Sequence, residues 1–285
     1  MTDWIAADWG TSNLRLWGMG AGPEPLWSAS SDRGMGGLAP QEFEGALREA
    51  VADRASLSVP VIACGMVGAR QGWAEAGYAP VPCPPVGAPP TRVPGDLDVR
   101  IVPGLSQASP PDVMRGEETQ IAGLLALGAF DGTVCLPGTH AKWAQVSAGE
   151  VVSFRTAMTG ELFGLLSEHS VLRHSMEGPL DDAAFDAAVS DAISRPERLA
   201  VELFAVRADH LLNGRSGPSR VSGLLVGAEL AAMRPYWLGQ EVRIVGEGRL
   251  AALYARALAA QGAPATLHDA TTVTLAGLRA AKEAQ

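Results

Sequence analysis

Cysteine is scarce in this chain of 285 residues, and the three present (Cys64, Cys83 and Cys135) are odd in number, widely spaced and free of any CxxC. That excludes a disulfide framework and a cysteine zinc site. The five histidines show no metal spacing such as HExxH. No apolar run reaches membrane-spanning length, and the N-terminus, Met1-Thr2-Asp3-Trp4, lacks the basic-then-apolar layout of a signal peptide. Clusters of Lys and Arg are missing too, and a net charge of −9 argues against a nucleic-acid surface. The expectation is a cytoplasmic protein with neither nucleic acid nor membrane as partner.

What is present is a soluble, globular composition: 47% hydrophobic and 19% charged, with nothing that reads as disordered. The length suffices for two domains with separate cores. The most informative feature is a pair of glycine turns, each following an apolar run. One lies in Ile5-Ala6-Ala7-Asp8-Trp9-Gly10-Thr11-Ser12-Asn13-Leu14, the other in Val134-Cys135-Leu136-Pro137-Gly138-Thr139-His140-Ala141-Lys142-Trp143. Both read as strand, Gly-Thr turn, returning strand. Such a turn offers backbone N–H groups and a hydroxyl with no bulky side chain in the way, which suits phosphate oxygens. Two of them suggest a duplicated domain that grips a polyphosphate from both sides.

The surrounding pattern supports duplication. Strands are predicted at 4–9, 13–19 and 25–31, then a helix over 40–52 and an apolar strand at 59–64. Residues 65–111 are rich in Gly and Pro and read as loop, of a length that is usually functional. A helix follows at 117–127. The second half restarts with strands at 133–137, 140–147 and 150–156 and a helix at 160–168. Ala-rich helix covers 181–213 with a break at Pro196. Ser222–Glu229 reads as a turn entering a helix. A strand at 242–245 runs into Gly246-Glu247-Gly248, then come a helix over 249–261, a strand at 265–268 and a helix over 270–282. This is an α/β layout: a duplicated ribonuclease-H-like fold with two lobes, 1–128 and 129–285, and a cleft between them. Cys64, Cys135, Trp9, Trp17 and Trp143 are expected to pack in the cores.

The duplicated Gly-Thr hairpins and the late strand-Gly-x-Gly-helix resemble the superfamily of sugar kinases, heat-shock ATPases and actin. More narrowly, Leu136-Pro137-Gly138-Thr139-His140, Met158-Thr159-Gly160-Glu161-Leu162-Phe163, Leu166-Ser167-Glu168-His169-Ser170, Ser222–Glu229, Arg70-Gln71-Gly72-Trp73 and Arg115-Gly116-Glu117-Glu118-Thr119-Gln120 resemble the 2-dehydro-3-deoxygalactonokinases. The resemblance implies an ATP- and Mg²⁺-dependent kinase that phosphorylates 2-dehydro-3-deoxy-D-galactonate at its 6-hydroxyl. Another sugar kinase or a phosphatase of the superfamily, or a non-catalytic nucleotide sensor on the same fold, are the alternatives. A homodimer is one assembly it allows. Ala141 departs from the serine expected in many relatives, and Pro137 stands where many superfamily members carry an acidic residue.

Site residues follow from chemistry and resemblance together. Asp8, at a strand end beside Gly10-Thr11, can hold Mg²⁺ or cap the turn; Thr11, Ser12 and Asn13 would meet the β- and γ-phosphates. Gly138 and Thr139 would contribute further phosphate contacts. Lys142 is either a phosphate or substrate contact or a solvated strand position, with His140 on the same face. Gly246, Glu247 and Gly248 are expected to hold adenosine, as the resemblance implies. Glu117 and Glu118 are candidates for the general base that phosphoryl transfer needs; the residues do not separate them, and both also fit simple dipole stabilisation at a helix start. For the substrate carboxylate, Arg70 is favoured, with Trp73 beside it and Arg33 and Arg115 as other candidates. Thr159-Gly160 could present N–H groups to an anion, or Thr159 could be an ordinary N-cap.

Overall fold

Burial tells the central strands of the first sheet from its edge. In β1 (Trp4–Trp9) five of the six residues are buried, the reading expected of a strand covered on both faces. β3 (Pro25–Ser31) alternates instead between half-buried and exposed positions, as an edge strand should, and carries its proline at the first position. Between them lies β2 (Leu14–Met19). The structure is a computed structural model that describes residues 1–284.

Helix α1 (Phe43–Val51) and strand β4 (Val61–Cys64) follow. The segment read as loop contains four short strands, β5 (Tyr78–Pro80), β6 (Thr91–Arg92), β7 (Val99–Ile101) and β8 (Gly104–Gln107), and a fifth, β9 (Asp112–Met114), follows it directly. The first sheet has the order β3-β2-β1-β4-β7-β6, and β5-β8-β9 form a small sheet of their own. Runs of two to four residues carry too little alternation for pattern reading to detect. Helix α2 (Glu117–Leu127) starts at Gly116, whose φ of 105° is glycine's territory.

The second half repeats the plan. Strands β10 (Gly132–Leu136), β11 (Ala141–Ser147) and β12 (Glu150–Ala157) lead to helices α3 (Thr159–His169), α4 (Asp182–Ser194), α5 (Leu199–Asn213), α6 (Pro218–Ala232) and α7 (Arg234–Trp237). Strand β13 (Val242–Val245), helix α8 (Gly248–Ala260), strand β14 (Ala265–His268) and helix α9 (Ala270–Glu283) close the chain. The sheet order is β12-β11-β10-β13-β14. In both halves a three-strand meander is extended by parallel strands, β1 to β4 to β7 and β10 to β13 to β14. That is the ribonuclease-H-like plan, given twice. Among the described residues no helix is long and apolar enough to cross a membrane.

Two compact units result. The first comprises Met1–Asp131, Val146–Phe154 and the segment from Asp269 onward; the second comprises Gly132–Gln145 and Arg155–His268. The terminal helix thus differs from the sequence reading, which gave it to the second lobe. It packs on α2 through a close crossing: a Cβ on Gly123 would stand 1.8 Å from the Val273 carbonyl oxygen, and one on Gly277 1.8 Å from that of Thr119. Ser222–Glu229 is the middle of α6 and not a turn. Its glycines serve packing, since a Cβ on Gly223 or Gly227 would come within 2.7 Å of backbone oxygens of α4. The core of the first unit includes a Trp9, Phe43 and Trp73 cluster with ring centroids 5.3–5.9 Å apart. The second is built around Trp143, Phe185, Trp237 and Tyr254. Cys64, Cys135 and Trp17 are buried as expected.

Candidate active site

In the first unit, β1 and β4 run parallel and end side by side, with Asp8 opposite Cys64. The N-terminus of α2 meets those ends. Gly65 (φ 92°) and Gly116 (φ 105°) make the approach feasible: a Cβ on Gly116 would lie 3.3 Å from Gly65 Cα, and one on Gly65 2.9 Å from the Trp9 carbonyl oxygen. The result is a cavity of about 190 Å³ whose wall includes Asp8, Gly10, Cys64, Arg115, Glu117 and Gln120.

Asp8 is bound by Arg15, its cross-strand neighbour, with Nη2 at 2.6 Å and Nε at 3.2 Å from Oδ2. The Cys64 thiol lies near Oδ1, with Sγ at 3.9 Å. Burial, then the Asp8 charge, push the Cys64 thiol well up, so it stays protonated. The turn after Asp8 is closed by Gly10 N–H donating to the Asn13 carbonyl at 2.9 Å, and is held from behind by Met35 and Gly36 N–H groups on the Gly10 and Thr11 carbonyls. Thr11, Ser12 and Asn13 are exposed, and of this turn Gly10 reaches the cavity wall.

The two adjacent glutamates, inseparable by sequence, have different surroundings. Glu117 is half-buried, lines the cavity and accepts the Arg115 backbone N–H at 3.0 Å. Glu118 has no exposed surface. It accepts the Gly116 N–H at 2.6 Å and the Thr119 hydroxyl at 3.0 Å. Burial, reinforced by the Glu117 charge, raises its pKa to about 8.

Of the arginines, Arg115 is at the cavity and Arg70 is not. Arg70 is 80% exposed with Glu75 3.5 Å from its Nε, because its loop turns outward while the adjacent Trp73 is drawn into the aromatic core. Trp73 is therefore a packing residue. Arg115 is 9% exposed, rests on the Tyr78 ring with Cζ 4.3 Å from the centroid, and gives Nη2 to the Gly77 carbonyl at 3.3 Å.

The second unit holds a larger cavity, about 430 Å³, lined by Gly138, Thr139, Thr159 and Gly160 together with an apolar wall that includes Phe163, Leu180, Leu225 and Leu253. Thr159 is the first residue of α3 and not its N-cap, which is Met158. Its hydroxyl donates to the buried Glu229. Glu229 also accepts Trp143 Nε1–H and the Tyr254 hydroxyl, both at 2.7 Å. Burial raises the Glu229 pKa, and the three hydrogen bonds oppose the rise. Glu229 was missed in the sequence, although a single carboxylate inside the apolar run Leu224–Leu230 signals a buried, satisfied charge.

Gly246, Glu247 and Gly248 do not form this cavity's wall; the next helical turns do, through Arg249, Leu250, Leu253 and Tyr254. The Gly246 N–H is used by the His268 carbonyl at 3.1 Å, and Glu247 is the N-cap of α8. Lys142 is buried, not solvated, and its Nζ donates to the His140 carbonyl at 3.0 Å. His140 is exposed and pairs with Glu161 at 2.5 Å. Ala141 is fully buried, so a hydroxyl there would need an internal partner.

Comparison with known proteins identifies the family. The family model for 2-keto-3-deoxy-galactonokinase matches residues 8–281. A Rhizobium meliloti (strain 1021) protein named as a probable 2-dehydro-3-deoxygalactonokinase is 42% identical over 99% of this chain and 97% of its own. The Escherichia coli (strain K12) 2-dehydro-3-deoxygalactonokinase is 38% identical over 97% and 96%. A crystal structure of a Sinorhizobium meliloti protein described under the same enzyme name superposes with a TM-score of 0.93 at 40% identity, covering 99% of this chain and 98% of that one.

Proposed function

The chain belongs to the 2-keto-3-deoxy-galactonokinase family, and from that premise we propose how its two cavities divide the work of a sugar-acid kinase. It is a phosphotransferase that uses ATP. The observation that carries the assignment is the meeting of Asp8 and Glu117 at one cavity, on the end of a strand and the start of a helix.

The cavity of the second unit takes the nucleotide. Its apolar wall suits an adenine ring, and its volume lies in the range of cofactor pockets. Gly138 and Thr139, at the Gly-Thr turn, supply N–H groups and a hydroxyl for phosphate oxygens. The cavity of the first unit takes the acceptor, 2-dehydro-3-deoxy-D-galactonate. Its 6-hydroxyl oxygen forms a bond to the γ-phosphorus while the bond from that phosphorus to the β–γ bridging oxygen breaks. The hydroxyl proton passes to Glu117, and ADP leaves. Glu118 does not serve as this base, because it is sealed from the cavity and occupied by Gly116 and Thr119.

Asp8 is the residue that would hold a magnesium ion. Among the described residues no group of three or more His, Cys, Asp or Glu forms a ligand cage. A single carboxylate completed by substrate oxygens and water is the donor set magnesium accepts, and Oδ1 is the oxygen that Arg15 leaves to it. Bound there, the ion neutralises phosphate charge.

The test is ADP formation by the purified protein against a panel of 2-keto-3-deoxy sugar acids and neutral sugars. The reading expects turnover with 2-dehydro-3-deoxy-D-galactonate and a phosphorylated C6 in the product. Turnover only with neutral sugars would overturn it.

A further inference from the structure

We propose that Arg115 is the group that reads the carboxylate of the acceptor. The inference rests on the kinase reading above and assigns the acidic end of the substrate to one side chain.

Arg115 is more than nine-tenths buried, yet its Nε and Nη1 have no hydrogen-bond partner. Three N–H donors of a desolvated cation are therefore left without an acceptor. Unmatched burial of a charge is strongly unfavourable, and native proteins retain it where a ligand completes the pairing. Arg115 also forms no salt bridge with any described residue. It is the one cationic side chain among the described residues of the cavity wall.

The guanidinium is held in place before any ligand arrives. Tyr78 supports one face of its plane, the Gly77 carbonyl anchors Nη2, and Gly68 leaves it room, since a Cβ there would come 2.8 Å from Nη1. A planar donor set fixed on two sides matches a planar carboxylate better than a tetrahedral phosphoryl group in transfer. A lysine could supply the charge but not the geometry. The anchors lie on or beside β5, so the guanidinium is tied to the small sheet.

The experiment uses the full chain and the variants Arg115→Lys and Arg115→Ala, with thermal melting as the control for folding. Two acceptors are compared, 2-dehydro-3-deoxy-D-galactonate and its carboxamide, which lacks the charge. Arg115→Lys is expected to lower kcat/KM for the acid about 100-fold or more and to leave the lower value for the carboxamide and the KM for ATP within about twofold. Guanidinium ion added to Arg115→Ala should restore part of the loss for the acid alone. Equal losses for acid and carboxamide, or a parallel rise in the KM for ATP, would assign the guanidinium to the phosphoryl group and overturn the proposal. Unchanged kinetics with the acid would do the same. If Arg115→Lys does not fold, calorimetric binding of the acid and the carboxamide to Arg115→Ala decides on the same criterion. Should the wild-type protein neither bind nor phosphorylate the acid, the substrate assignment itself falls and this inference with it.

Discussion

Arg15 stands directly opposite Asp8 across the first hairpin and grips its Oδ2 at 2.6 Å, while Asp8 lines the cavity. The pairing fixes the carboxylate in one orientation. A residue so placed acts through its charge. Asp8→Asn, which keeps the shape, should therefore lower kcat by on the order of 10²-fold or more. Steady-state kinetics at saturating ATP and magnesium measure it, and near-normal turnover would remove Asp8 from the phosphoryl site.

Glu229 makes the second prediction. It accepts hydrogen bonds from Trp143, Tyr254 and Thr159, and the last two also line the cavity proposed for the nucleotide. Glu229→Ala strands three donors and opens a void, so it should cost about 3–5 kcal/mol in denaturant unfolding. Tyr254→Phe, which removes one hydroxyl and preserves the ring, should cost about 1 kcal/mol. Where these variants remain folded, the KM for ATP should rise with kcat for bound substrates little changed. An Ala variant as stable as the wild type would show that the cluster contributes nothing.

Glu118 makes stability depend on pH. Its folded-state pKa, about 8 against an ordinary 4.5, means that the folded protein holds a proton the unfolded chain releases. Its contribution is fully present below about pH 4.5 and is lost as pH rises through 8. Stability should therefore fall across that window, and Glu118→Gln, which cannot ionise, should flatten the decline. Chemical unfolding at a series of pH values checks this; a decline of unchanged slope in the variant would refute it.

Much of the architecture was legible in the sequence because it rests on long, strongly patterned segments. The strand pairs around Gly10 and Gly138 and the helix from Glu117 lie where composition and turn chemistry put them. The short strands between 78 and 114 were hidden because two to four residues carry no period. The terminal helix was assigned to the wrong unit because its partner is set by Gly123 and Gly277, a close approach with no local signature. Asp8 and Arg115, which the structure brings to one cavity, were both named in the sequence. The choice between Arg70 and Arg115 was not legible there, because it depends on which side chain the loop buries. Nor was the role of Ser222–Glu229: its glycines read as a turn locally, and only the packing against α4 reveals them as contact points. The Gly246–Gly248 segment, expected to hold adenosine, lies at the strand-to-helix junction where the sequence put it, while the cavity beside it is lined by the next turns of α8.

Arg70 provides a fourth prediction. Exposed and, among the described residues, paired with Glu75, it should tolerate Arg70→Ala with kcat/KM for the acid changed less than about threefold. A loss approaching that of an Arg115 variant would mean that the loop carrying Arg70 closes over the substrate.

The assignment of the transfer step is tested most directly by comparing Glu117→Gln with Glu118→Gln in one kinetic assay. Both substitutions keep the shape and remove an ionisable carboxyl, at adjacent positions of which one lines the cavity and the other is fully buried. Loss of a general base costs about 10²- to 10⁴-fold. Glu117→Gln is expected to lose kcat in that range with substrate KM values nearly unchanged, while Glu118→Gln stays within a few fold of the wild type at pH 7. A full loss in Glu118→Gln with an active Glu117→Gln would contradict the account.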